Sequence, residues 1–361
     1  MNALLGIFFH AVGGFSAGSF YAPLKRVRQW AWESYWLVMG LAAWLAAPWI
    51  VAFITTRDLP GVLGTSCEAH SARVALAILF GMLWGLGNLT FGLSVRYLGM
   101  ALGYAIALGF CMVAGTLVPP IYDGLFGSEA DRQKLAELFT TAGGWIVLGS
   151  VAVCLLGIAI CGLAGMAKES ELPLDQKQET VKEFNFRKGF SVAVFSGLLS
   201  ACFAFGLAAG KPIAKVSQAH GTTDIFQNNA VLVVILVGGL LSNGIWCLVL
   251  NQRNRSFRDY VTGPRSQQLS NYALAASGGV IWYFQFFFYG MGETKLGDEY
   301  RFSSWAIHMA FIIVFSNLWG LVFQEWRGTS RRTRALVWLG ILILIGSTVV
   351  NAAGRYVETK L

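Results

Sequence analysis

Charge is scarce in this chain. Asp, Glu, Lys and Arg together make up 13% of its 361 residues, about half the roughly 25% of an ordinary soluble domain. With 55% of residues apolar, too few polar side chains remain to cover a water-facing surface, which excludes a large soluble helical domain. A cysteine framework is missing too. Cys67, Cys111, Cys154, Cys161, Cys202 and Cys247 follow no disulfide or metal spacing, and five of them lie in apolar runs, where a thiol behaves as a small hydrophobe. The four histidines add no metal pattern, so no metal or cofactor is expected. The net charge of +8 is not gathered into a basic face or stripe, which argues against a nucleic-acid partner. No converging set of nucleophile and base can be found, so the chain does not read as an enzyme. No connection is long enough for a signalling domain, which weakens a receptor or scaffold reading.

What the chain has instead is a series of long apolar runs. Ten candidate spans are expected, at about 4–23, 34–54, 74–94, 99–121, 144–166, 189–210, 225–250, 271–292, 303–325 and 335–354, each near the length a helix needs to cross the roughly 30 Å hydrocarbon core of a bilayer. The first run lacks a basic segment ahead of it, since Lys25, Arg26 and Arg28 follow it, so it reads as a span and not as a signal peptide. A charged connection at 167–188 divides the chain near its middle, and a surface helix is expected around Asp131 to Phe139. Connections after the odd-numbered spans hold 17 of the 27 Lys and Arg, and the other side holds 10. The positive-inside rule then puts both termini outside the cell.

The halves echo each other. Trp84, Phe91, Gly92 and Gly99 recur as Trp282, Tyr289, Gly290 and Gly297 at a constant offset of 198. Gly157 and Gly165 recur as Gly346 and Gly354 at an offset of 189. These matches suggest a five-helix unit used twice, 1–166 and 189–361, joined by the 167–188 linker. Because five is odd, the second copy enters the membrane in the opposite sense. The fold class is therefore an all-α polytopic membrane protein with ten transmembrane helices as two inverted five-helix repeats, a plan common in secondary transporters.

Asp and Glu are nearly absent from the middle of the spans. Glu33, Asp224, Glu293 and Glu325 sit at edges, where each is either an interfacial charge or part of a proton or cation relay. Glu325 stands out beside Gln324. His10 and His308 lie inside spans 1 and 9 at similar depth from the outer side. Each is either a neutral histidine bonded to a carbonyl or a proton-coupling group, because histidine titrates near physiological pH and ionisable groups in a membrane are costly unless they face a cavity. Asn88, Asn243, Gln285 and Asn317 lie well inside apolar runs, as helix glue or as ligand contacts. Asn88 is four residues after Trp84, and Gln285 is three after Trp282 with Tyr289 four further on. Rings and amides at such spacing share a helix face, and a polyhydroxy ligand suits apolar faces with a few polar groups. The expected substrate wall is Trp84, Asn88, Trp282, Gln285, Tyr289 and Asn317, placed between the two halves. The proton-coupling candidates are His10, His308 and Glu325.

Five long strings carry a resemblance: FYAPLKRVRQWAWESYW (Phe20 to Trp36), WGLGNLTFGLSVRYLGMALG (Trp84 to Gly103), GTLVPPI (Gly115 to Ile121), WYFQFFFYGMG (Trp282 to Gly292) and SWAIHM (Ser304 to Met309). Through them the whole chain resembles the bacterial L-rhamnose–proton symporter family, within the drug/metabolite transporter superfamily. The resemblance implies ten helices in two five-helix halves, a place in the bacterial inner membrane, and import of L-rhamnose or a related deoxy sugar driven by protons entering with it. Without it, the residues would lead only to a secondary transporter of a small polar solute. Another superfamily carrier, exporting or exchanging a different small metabolite, is the alternative within transport.

Overall fold

A computed structural model of the chain describes residues 3–98, 100–126, 128–171, 186–296, 301–323 and 326–358. Among these residues the protein is helical, with no strand. Such a chain in lipid must satisfy its backbone within each segment, and a helix does so. In order the helices are α1 (Ala3–Ser19), α2 (Tyr21–Leu24), α3 (Trp32–Gly40), α4 (Ala47–Thr55), α5 (Leu59–Ala69), α6 (Ser71–Leu98), α7 (Met100–Phe126), α8 (Glu129–Thr140), α9 (Ala142–Glu171), α10 (Phe186–Ala209), α11 (Lys211–Ala219), α12 (Asn229–Asn254), α13 (Arg265–Leu296), α14 (Arg301–Val322) and α15 (Arg331–Glu358). A π-helical segment, Leu41–Ala46, joins α3 to α4.

Nine described segments are long and apolar enough to cross a membrane: Leu4–Leu24, Trp32–Thr55, Ser71–Ser94, Ile106–Phe126, Ala142–Lys168, Arg187–Ala219, Asp224–Asn254, Ser304–Val322 and Arg331–Val350. They match nine of the ten expected spans. The remaining one, 271–292, lies within α13, a continuous helix of 32 residues. Its mean hydropathy is lowered by Asn271, Gln285 and its tryptophan and tyrosines, so length and helicity fit a span while composition does not. The expected surface helix is α8. The Pro119-Pro120 pair lies inside α7, which runs past the expected end of the fourth span to Phe126. Most of the central linker, residues 172–185, lies outside the described residues, as do Gln324 and Glu325.

The chain forms two compact units. One comprises Met1–Gly14, Gly87–Ala204 and Gly292–Leu361, and the other Phe15–Leu86 and Phe205–Met291. In the first unit, α9 and α15 lie side by side. Gly157 permits this approach, since a Cβ there would fall 2.8 Å from Leu344 Cγ, in keeping with small residues at helix contacts in lipid. At the end of this pair, the Glu171 carboxylate accepts bonds from the Ser330 backbone N–H (2.6 Å), Ser330 Oγ (2.7 Å) and Thr333 Oγ1 (2.7 Å). Glu171 thus caps the N-terminus of α15 from another helix, where orphan N–H groups and the helix dipole favour an anion. These bonds hold its carboxyl below the usual carboxylate range.

In the second unit, α12 packs along α3, the π segment and α4. One end is closed by a polar network. Glu33, buried, accepts from Ser256 Oγ (2.6 Å) and Asn254 Nδ2 (2.9 Å). Asp259 accepts from the Ala31 N–H (2.7 Å) and Ser34 Oγ (2.8 Å). Burial raises the pKa of Tyr260, whose hydroxyl accepts from Asn251 Nδ2 in this network.

Candidate functional site

The candidate residues fall into two groups, one in each unit. In the second unit they belong to an aromatic cluster whose geometry begins with Pro48. Proline has no N–H for the carbonyl four residues back, and its ring crowds that carbonyl. In this helix that carbonyl belongs to Trp44. The chain responds with a wider turn, in which the Ala47 N–H reaches back five residues to the Ala42 carbonyl. In an unbroken α-helix, Trp36 and Trp44 would point about 80° apart at 100° per residue. The wider turn adds residues per turn and brings them toward one face. Both indoles are buried, with ring centroids 6.4 Å apart and planes inclined at 68°.

Trp282 and Trp84 join the group, as does Trp32, stacked on Trp36 at 5.1 Å. Trp44 meets Trp84 at 6.1 Å and Trp282 at 6.2 Å, and Trp36 meets Trp282 at 5.5 Å, all edge to face. Phe20 packs on Trp282 at 3.9 Å and Phe286 on Trp84 at 5.4 Å. Edge-to-face pairs at such separations contribute about 0.5–1.5 kcal/mol beyond their burial. Gly40 and Gly239 leave room for the rings, because a Cβ would stand 2.6 Å from Trp44 and 2.5 Å from Trp84 respectively. Trp36 Nε1 donates to Asn243 Oδ1 (3.2 Å), while Asn243 Nδ2 donates to the Gly239 (3.0 Å) and Gly85 (3.3 Å) carbonyls. Asn243 is therefore helix glue, the first of its two expected roles. Trp44 Nε1 and Trp282 Nε1 are buried with no hydrogen-bond partner among the described residues, and an unmet buried donor costs about 1–3 kcal/mol. Gln285 is buried and its amide makes no hydrogen bond among the described residues; Tyr289 is buried in the same unit.

The first unit holds the histidines. His10 on α1 and His308 on α14 are both buried, at 0% and 2% exposure, with ring centroids 5.7 Å apart and the rings edge to face. A hydrogen bond links the His308 ring to the His10 backbone. Gly292 presses on the same place, since a Cβ would lie 2.9 Å from His10 Cε1 and Nε2 and 3.0 Å from the Gly6 carbonyl. The same stretch of α14 is fixed by Trp305, whose Nε1 donates to the Cys111 carbonyl (3.1 Å) and whose ring stacks on Phe203. Asn317 Nδ2 bonds back to the Ile313 carbonyl at 2.9 Å. Asn88 belongs to this unit although it lies one turn beyond Trp84 on α6. Its Nδ2 is buried without a partner among the described residues. Glu325, the remaining candidate, lies outside the described residues. Among the described residues no group of three or more His, Cys, Asp or Glu could hold a metal ion.

Chemically, the first group offers apolar ring faces with N–H donors at their edges, and the second offers a pair of imidazoles in contact. The family description of the L-rhamnose-proton symport protein (RhaT) matches residues 1–355. The chain belongs to that family. It is similar to the L-rhamnose-proton symporter of Mannheimia succiniciproducens, 34% identical over 347 residues, covering 95% of this chain and 96% of the relative. It is also similar to the L-rhamnose-proton symporters of Citrobacter koseri and Salmonella typhi, each 36% identical over 354 residues, covering 97% of this chain and 98% of the relative. With its apolar helices, this member of a symporter family is a multi-pass membrane protein.

Sequence reasoning missed Trp36 and Trp44. The readable signal was the WLVMGLAAWLAAP run, with a proline four residues after a tryptophan in a span. It also missed α5 and α11, which pack on each other in the second unit.

Proposed function

We propose that this protein imports L-rhamnose together with protons. The observation that carries the reading is the match, over nearly its whole length, to relatives named L-rhamnose-proton symporters. The indole cluster supports a neutral sugar ligand, because ring faces suit C–H groups and amide and indole N–H groups suit hydroxyls. In this reading Trp84, Asn88, Trp282, Gln285, Tyr289 and Asn317 contact the sugar. His10 and His308, with Glu325, carry the proton. Linkage then couples the two, since a proton that favours the sugar-bound state is itself favoured by the sugar.

The reading includes ten spans as two inverted five-helix repeats, 1–166 and 189–361, with α13 supplying the eighth. The repeated W-x6-[FY]-G-x6-G pattern and its polar, aromatic composition support that role. The protein would sit in the bacterial inner membrane with both termini outside, as the distribution of Lys and Arg suggests. The test is uptake of radiolabelled L-rhamnose into vesicles holding the purified protein under an imposed inward proton gradient. Accumulation above equilibrium, abolished by a protonophore and weakened by an alkaline exterior, is expected. Uptake unchanged from about pH 5 to 9 and indifferent to the protonophore would refute the proton coupling.

A further inference from the structure

The geometry points to Trp44 as a sugar-contacting, specificity-determining residue, and to the indole N–H groups of Trp44 and Trp282 as paired donors to ligand oxygens. This rests on the reading that the protein binds L-rhamnose. Trp44 lies outside the repeated motif and reaches the cluster through the widened turn before Pro48. Extra-residue turns of this kind are frequent at functional sites. Trp44 is 1% exposed and Trp282 is 8% exposed, and neither indole N–H has a hydrogen-bond partner among the described residues.

Trp36 makes the contrast. It belongs to the same cluster, but its N–H is satisfied by Asn243. The cluster therefore contains a donor met by the protein and two donors, on rings 6.2 Å apart, that the described residues leave unmet. Buried polar groups are nearly always paired, so two orphans in one cluster call for a ligand with acceptor oxygens. The surrounding ring faces call for the same ligand to carry apolar C–H surface. A neutral deoxy sugar has acceptor oxygens, C–H faces and no charge.

The experiment is calorimetric titration of L-rhamnose into the full-length protein in lipid nanodiscs, with the melting temperature of the sugar-free protein measured alongside. Trp44→Phe and Trp282→Phe keep a ring and remove only the donor and part of the ring face. Each is expected to weaken binding roughly three- to tenfold, while the sugar-free melting temperature falls only by the packing that the smaller ring gives up. Trp49→Phe is the control. Trp49 also has a buried N–H without a partner, but it packs on Phe53, and wild-type affinity is expected. Pro48→Ala keeps Trp44 and permits the turn to close as an α-helix. It is expected to weaken binding as well, which provides a second readout if Trp44→Phe folds poorly.

Wild-type affinity in Trp44→Phe, or in Pro48→Ala if that variant is the one that folds, overturns the inference. So does an equal loss of affinity in Trp49→Phe. A wild-type protein that binds no L-rhamnose overturns the proposed function and this inference together. Binding by wild type with unchanged variants overturns this inference alone.

Discussion

Gly292→Ala should separate sugar movement from proton drive. The new Cβ would lie 2.9 Å from two atoms of the His10 ring and 3.0 Å from the Gly6 carbonyl. Carbon atoms rest at about 3.5–4.0 Å, so the ring must retreat by roughly 0.6 Å or α1 must shift away from α13. The His10 ring is fully buried and in contact with His308, which leaves little slack on its other side. Overpacking at such a place costs about 1–3 kcal/mol, enough to move the histidine pair without unfolding a large helical protein. The assay compares two modes in vesicles: accumulation driven by a proton gradient, and counterflow exchange with no gradient. Gly292→Ala should keep most counterflow and lose most gradient-driven accumulation. Gly149→Ala, where an added Cβ meets nothing within 4 Å, is the neutral control. Wild-type accumulation by Gly292→Ala would refute the argument that this packing sets the histidine pair for proton coupling. Equal loss of both modes would show damage to the carrier as a whole and refute it too.

Three further outcomes follow from the same structure. Asn243→Leu removes an acceptor for Trp36 and a donor to two carbonyls, and should lower stability by about 2–3 kcal/mol, seen as a drop in melting temperature. Glu33→Ala leaves Ser256 Oγ and Asn254 Nδ2 without their carboxylate, and hydrogen exchange at 254–260 should quicken while exchange at 142–168 is unchanged. The Glu171 cap should be pH-dependent. Its folded-state pKa is depressed by bonds from Ser330 and Thr333, so its contribution is complete above the ordinary carboxyl range and is lost as pH falls through the depressed value. Protection factors of the Ser330 to Thr333 amides, taken against the intrinsic exchange rate at each pH, should therefore be flat at neutral pH and fall only below the ordinary carboxyl range; Glu171→Gln should show the low protection throughout.

Apolar runs made the helices legible, because a bilayer demands length and hydropathy and both are written linearly. The existence of α8 was legible from its charged, helical spacing, although it begins at Glu129, two residues before the expected start. The eighth run was harder, since Asn271, Gln285 and the rings that make it chemically interesting also reduce its hydropathy. The similar depth of His10 and His308 could be read by counting residues from the span ends. Their contact could not, because the direction a side chain faces depends on helix rotation. Trp44 shows the same limit more sharply. Regular α-helical spacing sets it about 80° from Trp36, and only the proline-induced turn brings the two rings into contact. Asn243 was open between glue and ligand contact until its partners were known. The pairing of Glu171 with Ser330 joins residues 159 positions apart, beyond the reach of any local pattern.

The crowding of indoles also decides how the protein interacts with light. Five of its 13 tryptophans, Trp32, Trp36, Trp44, Trp84 and Trp282, have near indole neighbours at 5.1 to 6.4 Å, close enough for an absorbed ultraviolet quantum to hop between rings before emission. Their fluorescence is then shared, and the ring with the lowest excited state speaks for its neighbours. Anything that shifts one of these rings should alter the colour and intensity of the whole group.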